Sequence, residues 1–215
     1  MKSIKNLIWD FGVVLIDLDF KRFQELCEAY GMKADVNILN THFSHVFEKG
    51  LITEHEFLRE SKLLFPGWVS YPTIKSIWNS MLGTIPDEKI RLLYKIQKSG
   101  YNQVLCSNTN ETHIRHIWEK HGIYTSRRFQ RAFSRIFLSY KCAMRKPEPE
   151  FFLFILDEMG WHAEETLLVD DNQQNIDSAS TLGMHVLHYT SPRSFKYFDT
   201  ALPMLHVHRA DEQNR

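Results

Sequence analysis

Residues 6–9 form a short, continuous apolar run that stops at Asp10-Phe11-Gly12. A run this brief, β-prone and unbroken by polar residues reads as a strand buried on both faces. The pattern recurs at residues 103–106, 166–169 and 184–188, with 134–138 as a further candidate. Helical patterns alternate with these runs at 21–30, 86–99, 149–159 and 173–182, and Gly31, Gly100, Gly160 and Gly183 sit just past their ends. Strands alternating with helices predict an α/β fold with a parallel sheet covered on both sides. In such sheets ligands bind beyond the carboxyl ends of the strands.

One stretch breaks the alternation. From about residue 33 to 81 strand-like runs vanish and aromatics recur at helical spacing. Thr53 and Glu56 form a capping box that opens one helix, and Tyr71-Pro72 opens another running to about residue 82. Residues 19–83 therefore read as an all-helical insertion, leaving 1–18 and 84–215 as the core. Lys+Arg and Asp+Glu both number 26. That balance lacks the basic excess of a nucleic-acid partner. The apolar stretch near the N-terminus is broken by Asp10, far short of a leader or a membrane span. Three cysteines without a Cys-x-x-Cys pair argue against a disulfide framework or a zinc site and favour a reducing cytoplasm. The polar tail, residues 209–215, is expected to fray.

The strand ends carry a distinctive set of side chains. Asp10 follows the first strand, Ser107 the second and Asp170-Asp171 the fourth, while Lys146 lies just before a helix. Parallel strands would gather them at one edge of the sheet. Carboxylates beside a hydroxyl and a lysine suit a magnesium ion and a phosphate, because magnesium takes one or two carboxylates together with water and phosphate oxygens.

Four segments then match in order: residues 7–14 around Asp10-Phe11-Gly12, residues 104–109 around Ser107-Asn108-Thr109, Lys146-Pro147-Glu148 with Phe151-Phe152, and residues 167–171 ending in Asp170-Asp171, with Asn175 beyond. The set resembles the haloacid dehalogenase-like hydrolase superfamily and spans nearly the whole chain. The resemblance implies a Rossmann-like, doubly wound sheet with a helical cap inserted after the first strand. Glu48-Lys49-Gly50-Leu51-Ile52-Thr53, followed by Glu56-Phe57, also resembles the cap of that family's small bacterial phosphatases.

The implied activity is magnesium-dependent hydrolysis of a small phosphorylated metabolite, a sugar phosphate first, by a monomer or weak homodimer. Asp10 would be the nucleophile and form an aspartyl phosphate. Mg2+ would be held by Asp10, the Gly12 backbone carbonyl and Asp171, with Asp170 behind them or as an alternative ligand. Ser107 and Asn108 would hold phosphate oxygens, Lys146 would neutralise nucleophile and phosphate together, and Asn175 would tie down its loop.

The sequence departs from the family at Gly12, where most of its phosphatases carry a second Asp that protonates the leaving group. A branch with Asp-Phe-Gly or Asp-Leu-Gly here includes phosphatases resembling enzymes for sugar 1-phosphates, whose leaving group is less basic. Asp17 and Asp19 are candidate substitutes. The departure also keeps open a phosphate-binding protein without turnover. A phosphomutase would need the missing Asp, and a dehalogenase would not need the acid pair. His113, His116 and His121 read as exposed helix surface, and His42, His45 and His55 as ordinary surface. Phe43, Phe47, Phe57, Phe65, Trp68 and Trp78 read as the core of the insertion, and Cys106 as strand packing. Ser107 is also expected to cap the helix that follows it.

Overall fold

In a computed structural model, the described residues are 3–33, 35–195 and 198. The fraying expected at 209–215 lies outside them. The strands are β1 (Asn6–Trp9), β2 (Asn102–Ser107), β3 (Arg135–Leu138), β4 (Thr166–Asp170) and β5 (His185–His188). They form one sheet in the order β3-β2-β1-β4-β5, with every pair parallel. Between β1 and β2 lie α1 (Phe20–Ala29), α2 (His42–Glu48), α3 (Glu54–Lys62), α4 (Tyr71–Asn79) and α5 (Asp87–Lys98). The remaining helices are α6 (Glu111–Gln130), α7 (Ser139–Cys142), α8 (Pro149–Met159) and α9 (Gln173–Thr181).

Two apolar layers sandwich the sheet, and strand alternation decides which residue joins which. Leu7, Trp9, Leu105, Leu167 and Val169 face one layer, with Ile90, Leu93 and Ile96 of α5 and Ile114 and Ile117 of α6. Ile8, Val104, Cys106 and Leu168 face the other, with Phe151, Phe152 and Ile155 of α8 and Ile176 of α9. The central strands β1, β2 and β4 are buried on both faces, which is why they read as apolar runs. The indole N–H of Trp9 is satisfied by Gln103 Oε1 at 3.0 Å, and Gln103 in turn donates to Leu93 O at 2.9 Å.

The helices α1–α4 add a group of aromatics continuous with the layer on the α5–α6 face of the sheet. Phe57 stacks on Phe47 with centroids 4.4 Å apart, and Trp78 lies 4.8 Å from Phe57 and 6.1 Å from Phe23. Burying one such ring is worth about 1.5–3 kcal/mol. Thr53 and Glu56 make the capping box in full. Trp68 departs from expectation. It is 70% exposed and lies over Tyr30 rather than in the core, because it sits in the turn between α3 and α4.

Candidate active site

The register places the polar strand ends side by side. Trp9 pairs with Leu105 on one side and Val169 on the other. Asp10, one residue further, donates its N–H to Val169 O at 2.9 Å, so the ladder continues to the edge. β4 runs one residue beyond the apolar pattern and includes Asp170.

Lys146 joins these ends. Its Nζ donates to Asp10 Oδ1 and to Asp170 Oδ2, each at 2.6 Å, and its side chain is 1% exposed. Asn108 fixes the lysine's backbone. Its Nδ2 donates to Lys146 O at 2.7 Å, and Lys146 N donates to its Oδ1 at 2.8 Å. Asp170 Oδ1 accepts from Asn172 N and Asn175 Nδ2, both at 2.9 Å. Both Asp170 oxygens are therefore taken. Asp171 is half-buried, and His188 Nε2 lies 2.9 Å from its carbonyl oxygen.

Burial is the largest influence on the Asp10 carboxyl and pushes it up; the Lys146 ammonium opposes this, and Asp170 and Asp171 add to it. Burial works against the charge on Lys146, but Asp10 and Asp170 outweigh it and hold the ammonium protonated. Burial and Asp170 likewise raise Asp171. The pocket thus sets several carboxylates against one ammonium, an imbalance that a cation would correct.

Ser107 closes β2 and is buried, with Oγ donating to Asn108 O at 3.4 Å. It does not cap α6. Asn110 does so by accepting from His113 N at 2.9 Å, because the chain makes three further residues before turning helical. Two polar partners escaped the sequence reading. One is the Asn108 side chain that brackets Lys146. The other is Ser139, fully buried, whose Oγ accepts from Thr109 N and donates to Thr109 O, both at 2.9 Å. Its signal was present: Ser139 is the polar residue directly after the apolar third strand.

Gly12 leaves little room for a longer side chain. A Cβ there would meet Leu18 Cδ1 at 3.2 Å and Asp10 Oδ2 at 3.9 Å. The Gly12 carbonyl accepts from Val14 N, and Val13 takes a φ of 59°. Asp17 and Asp19 are engaged elsewhere. Asp17 pairs with Lys89 at 3.2 Å, and Asp19 caps α1 through Arg22 N at 2.8 Å. His113 is a correction: it is buried rather than exposed, stacks on Trp78 with centroids 4.9 Å apart, and its Nε2 lies 3.2 Å from Trp78 O. Docking of α4 on α6 covers it. Cys106 is fully buried, as packing requires.

Among the described residues, no group of three or more His, Cys, Asp or Glu side chains is set to hold a metal by itself. Magnesium needs fewer protein ligands, since water and phosphate oxygens complete its shell. The carboxylates of Asp10 and Asp171 and the Gly12 carbonyl are oxygen donors of the kind magnesium takes. No helix among the described residues is long and apolar enough to cross a membrane.

Known proteins match this chain in sequence and fold. Residues 76–183 match the model of the haloacid dehalogenase-like hydrolases. A D-ribitol-5-phosphate phosphatase of Bacteroides thetaiotaomicron is 27% identical over 184 residues, covering 84% of this chain and 89% of its own. A sesquiterpene phosphatase of Aspergillus oryzae is 27% identical over 193 residues, covering 87% and 91%. Among solved structures, the HAD family enzyme bt-2542 of B. thetaiotaomicron, in complex with magnesium and inorganic phosphate, superposes with a TM-score of 0.77 at 34% identity, covering 88% of this chain and 96% of that one. This chain belongs to the haloacid dehalogenase-like hydrolases.

Proposed function

We propose that the chain is a magnesium-dependent phosphatase acting on small phosphomonoesters, sugar phosphates first, through an aspartyl phosphate on Asp10, with residues 19–83 as its cap. The observation that carries this reading is the buried Lys146 bridging Asp10 and Asp170 at 2.6 Å each. Two buried carboxylates and a buried ammonium are costly to assemble, and a purely structural core has no need of them. The phosphatase names and the bound magnesium and phosphate among its relatives point the same way.

The chemistry runs in two displacements. An Asp10 carboxylate oxygen attacks phosphorus, the bond to the ester oxygen breaks, and the leaving oxygen takes a proton from water to depart as the alcohol; the water that attacks in the second step gives a proton back to solvent. Water then attacks phosphorus, the bond to Asp10 breaks, and inorganic phosphate departs. Covalent catalysis divides one hard displacement into two easier ones. Lys146 neutralises Asp10 and the phosphoryl oxygens and keeps its proton throughout. Ser107 and the N–H of Asn108 hold phosphoryl oxygens, and Asp170 with Asn175 orients Lys146. Mg2+, held by Asp10, Asp171 and the Gly12 carbonyl, would supply charge stabilisation at the transferring oxygens. The cap excludes bulk water.

Phosphate release from sugar phosphates, nucleotides and an aryl phosphate, with and without magnesium, tests this against Asp10→Asn. Magnesium-dependent turnover lost in the variant is expected. Gly12 favours one other reading, a phosphate-binding protein without turnover, and silence of the wild type across the panel would select it.

A further inference from the structure

The segment Glu48-Lys49-Gly50 lies against the loop that carries Lys146. Arg145 approaches Glu48 Oε2 with Nη2 at 2.9 Å and Nε at 3.1 Å. Lys49 pairs with Glu148 at 2.5 Å. Gly50, at a φ of +68°, is so close to Tyr140 that an added Cβ would fall 2.2 Å from its carbonyl oxygen. Three consecutive residues thus seat α2 on the core, on both sides of the lysine in sequence.

Glu48 is placed more finely than a latch requires. Its side chain is 20% exposed and Arg145's is 19%. Arg145 takes only Oε2, and Oε1 has no hydrogen-bond donor among the described residues. Burial pushes the carboxyl up and Arg145 opposes that, with the charge of Lys146 also acting on it. Arg145 and Glu148 stand one residue before and two residues after Lys146, so their partners Glu48 and Lys49 are held beside the loop that carries the lysine. An anion beside an anion-binding site weakens binding unless the ligand brings hydrogen-bond donors to it. Hydroxyls on the organic part of the substrate would be such donors; a hydrocarbon tail has none.

We propose that Glu48 is a specificity-determining residue whose Oε1 accepts from a substrate hydroxyl, so that the site selects polyhydroxylated phosphomonoesters over apolar ones. This rests on the phosphatase reading above and narrows its substrate class. Arg145 is the positioning residue that fixes the carboxylate.

The test measures binding by calorimetry in the Asp10→Asn background with magnesium, comparing Glu48 with Glu48→Gln. The probes are D-ribitol 5-phosphate and phenyl phosphate. In Glu48→Gln the Arg145 donors claim the amide oxygen and the NH2 takes the place of Oε1, so the charged acceptor is lost and ribitol phosphate should bind about 10- to 100-fold more weakly. Phenyl phosphate should bind as tightly or more tightly, because a neighbouring negative charge has gone. Opposite responses support the proposal. Parallel loss of both ligands identifies Glu48 as a latch alone and overturns it, as does an unchanged affinity for ribitol phosphate. Glu48→Asp, which keeps the charge but shortens the reach, should lose ribitol phosphate selectively; if it instead binds like wild type, the assignment to Oε1 fails. Because the readout is binding, it stands apart from the turnover assay, which alone decides the phosphatase reading.

Discussion

Replacing Lys146 with methionine keeps most of the stem and removes the ammonium. Wild type holds two carboxylates at 2.6 Å from that group, with side-chain exposures of 10% for Asp10 and 0% for Asp170. Leaving them unpaired should cost about 3–5 kcal/mol, the penalty for breaking a buried ion pair. That is a large share of the roughly 5–15 kcal/mol of a typical domain. The loss is capped because one carboxyl can take up a proton. It should appear as a lower urea midpoint at pH 7 in EDTA. Magnesium should return part of it, about 2.7 kcal/mol at a hundredfold excess over its dissociation constant, since a cation replaces the missing charge. Activity should not return with stability. Loss of a group aimed at the transferring oxygens typically lowers kcat by about 10²–10³. A Lys146→Met protein within about 1 kcal/mol of wild type in EDTA would refute the charge argument. One that kept wild-type kcat/KM would refute the assigned role.

Other perturbations follow from the same geometry. Burial lowers the His113 imidazole from 6.5 to about 3, so the unfolded chain binds the extra proton first. Stability is then full above pH 6.5 and falls toward pH 3, by about 1.4 kcal/mol per pH unit. His113→Phe should be less stable at pH 7 yet flatten that acid slope, and equal slopes in urea titrations would contradict it. Gly50→Ala should lower the melting temperature well beyond Gly122→Ala. Both positions have φ near +70°, but a Cβ at Gly122 meets nothing within 4 Å, so only the backbone cost of about 1–3 kcal/mol applies there. Asn108→Ala leaves the Lys146 N–H and carbonyl without their side-chain partner, at about 1–3 kcal/mol for each group left unsatisfied. It should depress kcat/KM at least as clearly as melting temperature; kcat/KM within a factor of about two of wild type would argue against the clamp.

The sheet and its polar edge were legible because their causes are local. Short apolar runs buried on both faces have few alternatives, and parallel order then sends Asp10, Ser107 and Asp170 to one end. What was not legible depends on partners distant in sequence. Asn108 brackets Lys146 across 38 positions and Ser139 holds Thr109 across 30. His113 lies on a helix with polar neighbours, and only the docking of α4 buries it against Trp78. Ser107 looked like a helix cap because hydroxyls often are, but Asn110 stands nearer the first helical turn. Asp17 and Asp19 looked available because proximity in sequence says nothing of the Lys89 and Arg22 partners that engage them.

The alternation along each strand also divides the labour at the site. Ile8 and Leu168 face the layer made by α8 and α9, so Asp10 and Asp170, two residues on, belong to the same face. Lys146 arrives in the loop before α8, on that face too, which is how one ammonium meets both carboxylates. Leu105 faces the opposite layer, shared with α5, α6 and the inserted helices, and Ser107 follows it there. Asp10 and Lys146 therefore approach from one side of the sheet edge and Ser107 from the other, as the proposed phosphoryl transfer would require. A shift of β1 by one residue would turn Asp10 away from Lys146 and put Trp9 in the wrong layer. The pairing of Trp9 with Leu105 and Val169 is thus the register that the proposed chemistry needs.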